Sequence, residues 1–250
     1  MISMQFKQIF FFDIDNTLCK GATAPVSDAV VKRLKHLEEQ GYGIALCSGR
    51  PQYYVNGLAR QLALKHWLLV TENGLVVQVG AKLPTATMWR TSADFSTIAK
   101  IKAFEAKLKQ RLLCGDLPSS ALWVEPNELS TCLFYSRLAD GTLARDLAFS
   151  LIDEAKSELG DQVRIIEHVG CFDVLPIAAN KGVGIKCLCE YLCHELSATV
   201  GIGDGPNDQE MFDVCAKSIS LAPGKHNNVD YECESIEQAL DYIEAHLVEQ

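Results

Sequence analysis

The chain has 250 residues, 48% of them hydrophobic, and a formal net charge of −9. That is enough apolar material for one large core or two ordinary ones, which excludes a disordered chain. An acidic balance with no block of Lys and Arg excludes the electrostatic footprint of a nucleic-acid or anionic-membrane binder, so an anionic substrate needs positive charge placed locally.

The first apolar run, Ile9 to Phe12, is short and meets Asp13 and Asp15 at once. It is neither a signal-peptide core nor a membrane span, and the expected location is the cytoplasm. Ile9–Phe12, Ile44–Cys47, Trp67–Val70 and Thr199–Ile202 are continuous apolar runs of the kind buried on both faces of a parallel sheet. After the first of them, Val26, Val30, Leu34 and Leu37 recur at helical spacing, with Ser27 to cap the start and Gly41 to end the helix. Strands alternating with helices imply βαβ units.

The pattern changes after Val70. In "TENGLVVQVG" an Asn73-Gly74 turn precedes an apolar strand, which reads as a hairpin in which Asn73 and Gly74 serve the turn alone. From about Leu83 a different region opens. A helix carrying Ile98, Ile101, Phe104, Leu108 and Leu112 precedes strands near Leu122–Glu125 and Ser130–Ser136; a second helix, with Leu143, Leu147, Leu151 and Ala155, precedes strands near Val163–Glu167 and Cys171–Leu175. A helix and two strands, twice, make a small α+β domain.

The βα pattern then resumes with a helix starting near Lys181, the strand "ATVGIGDGPND" and a last helix with Ile236, Leu240, Ile243 and Leu247 on one stripe. The expected fold is α/β: a Rossmann-like, doubly wound parallel sheet built from residues 1–83 and 178–250, interrupted by an inserted α+β domain of residues 84–177. The ten cysteines are scattered without a disulfide framework and read as reduced thiols. Cys187, Cys189 and Cys193 beside His194 lack the paired spacing of a zinc site and read as small apolar residues of a helix.

Open parallel sheets bind ligands at the carboxyl ends of their strands. Four polar clusters fall at such places: Asp13 and Asp15; Ser48-Gly49-Arg50; Lys181 at a helix start; and Asp204, Asn207 and Asp208. Each alone has a structural explanation as a loop or cap residue. Together, the carboxylates of the first and last clusters can hold a hard cation such as Mg²⁺, and the Ser hydroxyl, Gly amide and Lys ammonium can bind a dianionic phosphate.

"DIDNT", "SGR", Lys181 in "NKGVGIKCL" and "GDGPND" resemble, in order, the four motifs of the haloacid dehalogenase-like hydrolases, and the layout of the insertion resembles the class IIB cap of sugar-phosphate, sucrose-phosphate and phosphoglycolate phosphatases. The resemblance implies that Asp13 is a nucleophile forming an aspartyl-phosphate, that Asp15 is the acid and base, and that Asp13 and Asp204 ligate Mg²⁺ with the backbone carbonyl of Asp15 facing the metal. Asp208 is then either a ligand or a partner that orients a metal-bound water. Ser48 and Lys181 hold the phosphoryl oxygens, Lys181 compensates Asp13, Thr17 steadies the nucleophile loop, and the Gly49 amide adds a phosphate contact. Arg50 and Asn207 touch substrate or, for Arg50 equally, a core carboxylate pairs with it. Asn16 stands where this family commonly has glycine, and Asn tolerates unusual backbone angles.

The expected function is therefore a Mg²⁺-dependent phosphatase for a small phosphorylated metabolite, a sugar or polyol phosphate, with the inserted cap selecting the leaving group. One alternative is a phosphomutase using the same nucleophile, which needs cap cations for a second phosphate; Lys100, Lys102, Lys107, Lys109 and Arg111 read instead as a solvated helix face. The other is a non-catalytic metabolite sensor or phosphorylatable switch, which should have lost one of these groups.

Overall fold

The computed structural model describes residues 4–21, 24–81, 83–89 and 95–248. The chain divides into two compact units, Met1–Arg90 with Asn180–Gln250, and Thr91–Ala179. The first unit is built on an eight-stranded sheet. Its centre is strand β1 (Ile9–Phe12), paired in parallel with β2 (Gly43–Cys47) on one side and β10 (Thr199–Gly203) on the other. Beyond β2 lie β3 (His66–Thr71), parallel, then β4 (Val76–Ala81) and β5 (Leu83–Trp89), antiparallel. Beyond β10 lie β11 (Lys217–Ser220) and the short β12 (Tyr231–Glu232), both parallel.

All four residues of β1 are fully buried because helices cover both faces. Alternation along the strand sends Phe10 and Phe12 to the face packed by α1 (Asp28–Glu39), α2 (Gln52–Gln61) and α7 (Ile236–His246), through Leu34, Leu37, Val55, Leu240 and Ile243. Ile9 and Phe11 go to the other face, with Ile185 and Leu188 of α5 (Lys181–Leu192) and Met211 and Phe212 of α6 (Gln209–Phe212). Each buried phenylalanine contributes roughly 1.5–3 kcal/mol, so the strand that leads into the first two acids is firmly anchored. Helix α1 starts where its sequence indicates: Ser27 Oγ accepts from the Val30 amide at 3.3 Å.

The second unit is a four-stranded antiparallel sheet in the order β6 (Leu122–Glu125), β7 (Thr131–Tyr135), β9 (Cys171–Pro176), β8 (Val163–His168). Helices α3 (Phe95–Cys114) and α4 (Arg145–Leu159) pack on one of its faces, with Ile101, Phe104, Leu151 and Ile152 against Leu133, Phe172 and Val174.

Residues 83–89 require a correction, because the inserted domain was expected to begin at 84. They form β5, an edge strand of the large sheet, and the division between units falls instead after residue 90 and before residue 180. Leu143, expected on a helix, is exposed and precedes α4. Cys187 and Cys189 are buried in α5, Cys193 caps its end in the left-handed conformation, and none of the ten cysteines is in a disulfide. Among the described residues no helix is long and apolar enough to cross a membrane.

Candidate active site

Four loops meet at the carboxyl end of the parallel strands. Asp13 directly follows β1, and its amide donates to the Ile202 carbonyl of β10 at 2.8 Å, which fixes where its side chain leaves the sheet. Asp204 directly follows β10. Lys181 is the first residue of α5, whose start is capped by Asn180 Oδ1 accepting from the Val183 amide at 2.8 Å. The ammonium of Lys181 is wholly buried, an unusual place for a lysine. It is shared between two carboxylates, Asp13 Oδ1 at 2.6 Å and Asp208 Oδ1 at 2.5 Å.

Asp208 spends its other oxygen on the loop that carries it. Oδ2 accepts from the amides of Asp204 (3.0 Å) and Gly205 (2.8 Å). This fold-back needs glycine at 203, since a Cβ there would lie 2.3 Å from Asp208 Oδ2. Thr17 reaches across from the first loop, its hydroxyl donating to Asp204 Oδ1 at 3.0 Å. A residue that sequence reasoning passed over, His226, donates from Nε2 to the Gly205 carbonyl at 2.9 Å.

Carboxylate oxygens of Asp13, Asp204 and Asp208 lie within 4.8 Å of one another. Burial, reinforced by the charges of Asp208 and Asp204, outweighs Lys181 and pushes the Asp13 carboxyl up to about 7. Asp204 is also raised, by burial and by Asp208, against the hydrogen bond from Thr17. Burial pulls the Lys181 ammonium down, but the two aspartates more than offset this and raise its pKa, so it stays charged. The cluster is a pocket of negative charge that one ammonium only partly neutralises.

Asp15 stands apart from this trio. Its carboxylate is gripped by Arg50, Nε to Oδ2 at 2.8 Å and Nη2 to Oδ1 at 3.1 Å, so the structure shows Arg50 paired with one of the motif acids. Asn16, next to it, has φ 65°, the left-handed geometry that asparagine takes up more readily than most residues. Ser48 is buried at the end of β2, and its Oγ accepts from the Arg50 amide at 3.2 Å. Gly49 lies between them, half-buried. Cys47, just before, is no rival nucleophile: burial raises its thiol far above the usual range.

The expectation that Asn73 and Gly74 serve only a turn is corrected. The turn joins β3 to β4 as expected, but Glu72, Asn73 and Gly74 all have positive φ, and each is fastened to a motif loop or beside one. The Glu72 amide donates to the Arg50 carbonyl (3.0 Å) and the Asn73 amide to the Ser48 carbonyl (3.1 Å). Asn73 Oδ1 accepts from Asn207 Nδ2 at 2.8 Å. A Cβ on Gly74 would lie 2.1 Å from the Asn180 carbonyl, next to Lys181. Asn207 is thus a buried loop brace. The available signal was position: the turn follows a parallel strand at the same sheet edge as the four motifs.

A family model described as haloacid dehalogenase-like hydrolase matches residues 10–114 and 144–231. The chain belongs to the haloacid dehalogenase-like hydrolases. Among curated relatives of this hydrolase, the HMP-PP phosphatase of Cronobacter sakazakii is 22% identical over 239 residues, covering 84% of this chain and 82% of its own. Among solved structures, the HAD subclass IIB sugar phosphatase BT4131 aligns with TM-score 0.64 at 18% identity, covering 95% of this chain and 99% of that one. TM0651 from Thermotoga maritima aligns with TM-score 0.68 at 15% identity, over 96% and 98%. At such identities these structures show a shared fold.

Proposed function

We propose that this hydrolase is a Mg²⁺-dependent phosphatase that cleaves a sugar or polyol phosphate through an aspartyl-phosphate on Asp13. It is a phosphoric monoester hydrolase of its family, acting on small phosphorylated substrates. The observation that carries the reading is the buried Lys181 ammonium held on Asp13 at 2.6 Å inside a cluster of three carboxylates. The phosphatase names of its relatives support the same chemistry.

The donor set fits Mg²⁺: close, hard carboxylate oxygens with more negative charge than one ammonium offsets. Asp13 and Asp204 would hold it, with the backbone carbonyl of Asp15; Asp208, both of whose oxygens already accept hydrogen bonds, would hold Lys181 and the loop instead. When bound, the cation neutralises these carboxylates and the charge of the transferring phosphoryl group.

The residues of the chain then divide the work. A carboxylate oxygen of Asp13 attacks phosphorus, the bond from phosphorus to the ester oxygen breaks, and Asp15 gives a proton to the leaving alcohol. In the second step Asp15 takes a proton from water as that water attacks the same phosphorus, releasing inorganic phosphate and the Asp13 carboxylate. Arg50, which donates to both Asp15 oxygens in the structure, would release one of them for the proton that Asp15 carries, while Ser48, the Gly49 amide and Lys181 hold the phosphoryl oxygens. The second unit, proposed as the cap, would exclude bulk water and select the leaving group.

Hydrolysis is favoured over phosphomutase chemistry by the cations of α3. Lys102 and Lys109 both bind the buried Glu105, Lys107 pairs with Glu158 and Arg111 with Glu154, so they are matched within their own unit. Phosphate release from a panel of phosphorylated sugars, polyols, glycolate and nucleotides tests the reading. Turnover should need Mg²⁺, stop with EDTA and vanish in Asp13→Asn; wild-type rates in that variant, or after thorough chelation, would overturn it.

A further inference from the structure

The helix-free face of the small antiparallel sheet carries a second cluster of metal-ligating side chains, far from the composition of the first. Alternation along the strands separates the two faces: Leu133, Phe172 and Val174 point to α3 and α4, so Cys132, Cys171 and Asp173 point the other way. Cys132 on β7 stands directly opposite Asp173 on β9, Cys171 lies two residues before Asp173, and His168 on β8 stands opposite Cys171. All three of Cys132, Cys171 and Asp173 are buried, and one ligand atom from each lies within 4.8 Å of the other two. His168 Nε2 is 3.2 Å from Asp173 Oδ2.

We propose that Cys132, Cys171 and Asp173 form a zinc site, with His168 holding the carboxylate from outside and water in the fourth position. The chemistry of the donors selects the ion. Two thiolates are soft ligands that suit Zn²⁺ and are poor partners for the Mg²⁺ proposed at Asp13 and Asp204. The geometry is compatible with that ion: Zn–S of about 2.3 Å and Zn–O of about 2.0 Å put the edges of a tetrahedron at about 3.3–3.8 Å, within the 4.8 Å that bounds the present cluster. All the donors sit on paired strands, so little freedom is lost on binding, and the His–carboxylate contact is the usual outer support of a zinc ligand. Both thiols are free in the structure. On binding, each thiol loses its proton to solvent and two S–Zn bonds and one O–Zn bond form, with no redox change. The site is independent of the phosphatase reading.

The test uses the full chain, metal-stripped, kept reduced with a phosphine and supplied with excess Mg²⁺, and titrated with Co²⁺. One Co²⁺ per chain should give thiolate-to-cobalt charge-transfer absorption in the near ultraviolet, which a carboxylate-only site cannot produce, and Zn²⁺ should abolish it. Cys132→Ser and Cys171→Ser should each lose the band, whereas Cys114→Ser, an exposed thiol of the same unit, should keep it. His168→Gln should weaken Zn²⁺ binding by about 10-fold or more. No charge-transfer band in the wild type, or a band that survives in the Cys132/Cys171 double variant, overturns the proposal. Should the serine variants fail to fold, Asp173→Asn, nearly unchanged in size, decides: weakened Zn²⁺ affinity supports the site and unchanged affinity refutes it.

Discussion

Replacing Lys181 by methionine removes the one ammonium shared by two buried carboxylates, Asp13 and Asp208. Methionine fills most of the same space, so the change is electrostatic. It strips the partner from Asp13 (2.6 Å) and from Asp208 (2.5 Å), both of them buried. Leaving a buried charge without its partner costs about 3–5 kcal/mol. At roughly 2–4 °C per kcal/mol for a chain of this size, the metal-free variant should melt roughly 6–20 °C below wild type. The penalty depends on pH in a definite direction. The folded Asp13 carboxyl, at about 7, lies above its ordinary value of 3.8, so its stabilising contribution is complete below about pH 4 and is lost as pH rises through 7. The difference between wild type and Lys181→Met should therefore be larger at pH 8 than at pH 5, where Asp13 holds a proton and repels less. Mg²⁺ should narrow it at pH 8. Thermal melts of the EDTA-treated full chain at the two pH values measure this directly. Equal melting temperatures at pH 8, or a gap that widens on acidification, would show that the ammonium is not what holds these carboxylates together.

Asp15→Asn should let the first step proceed with activated aryl phosphates and stall the second, so mass spectrometry of acid-quenched protein should find phosphate on Asp13; its absence at every time point counts against the acid–base assignment. Asn73→Ala leaves the buried Asn207 amide without its acceptor at 2.8 Å, at about 1–3 kcal/mol, and should lower both melting temperature and kcat/KM without touching a phosphate ligand. An unchanged melt would refute the bracing role.

Much of the fold was legible because burial on both faces leaves a plain mark. Strands such as Ile9–Phe12 and Thr199–Gly203 are buried at every position and carry no charged residue, and the acids that interrupt such runs fall at the strand ends where an open sheet binds ligands. Strand β5 was not legible. Its sequence, LPTATMW, mixes polar residues and a proline, which an edge strand tolerates because one side needs no partner, and without it the boundary of the insertion was placed too early. Side-chain pairings across the chain were also hidden: Thr17 with Asp204 spans 187 positions and Asn207 with Asn73 spans 134, and no local pattern reports them. The pairs around Glu105 differ, because Lys102 and Lys109 lie three and four positions away on the same helix, where spacing alone predicts contact.

The turn at residues 72–74 separates being indispensable from doing chemistry. Two non-glycine residues in left-handed conformations followed by a glycine pressed on another loop cost backbone energy, kept because the turn aligns the segments around Ser48, Lys181 and Asn207 at once. A saturation scan of this protein should therefore find position 74 as intolerant as position 13, although one would carry the phosphate and the other only keeps the furniture in place. Ranking residues by tolerance would merge the two; comparing the inactive variants by their melting temperatures would separate them.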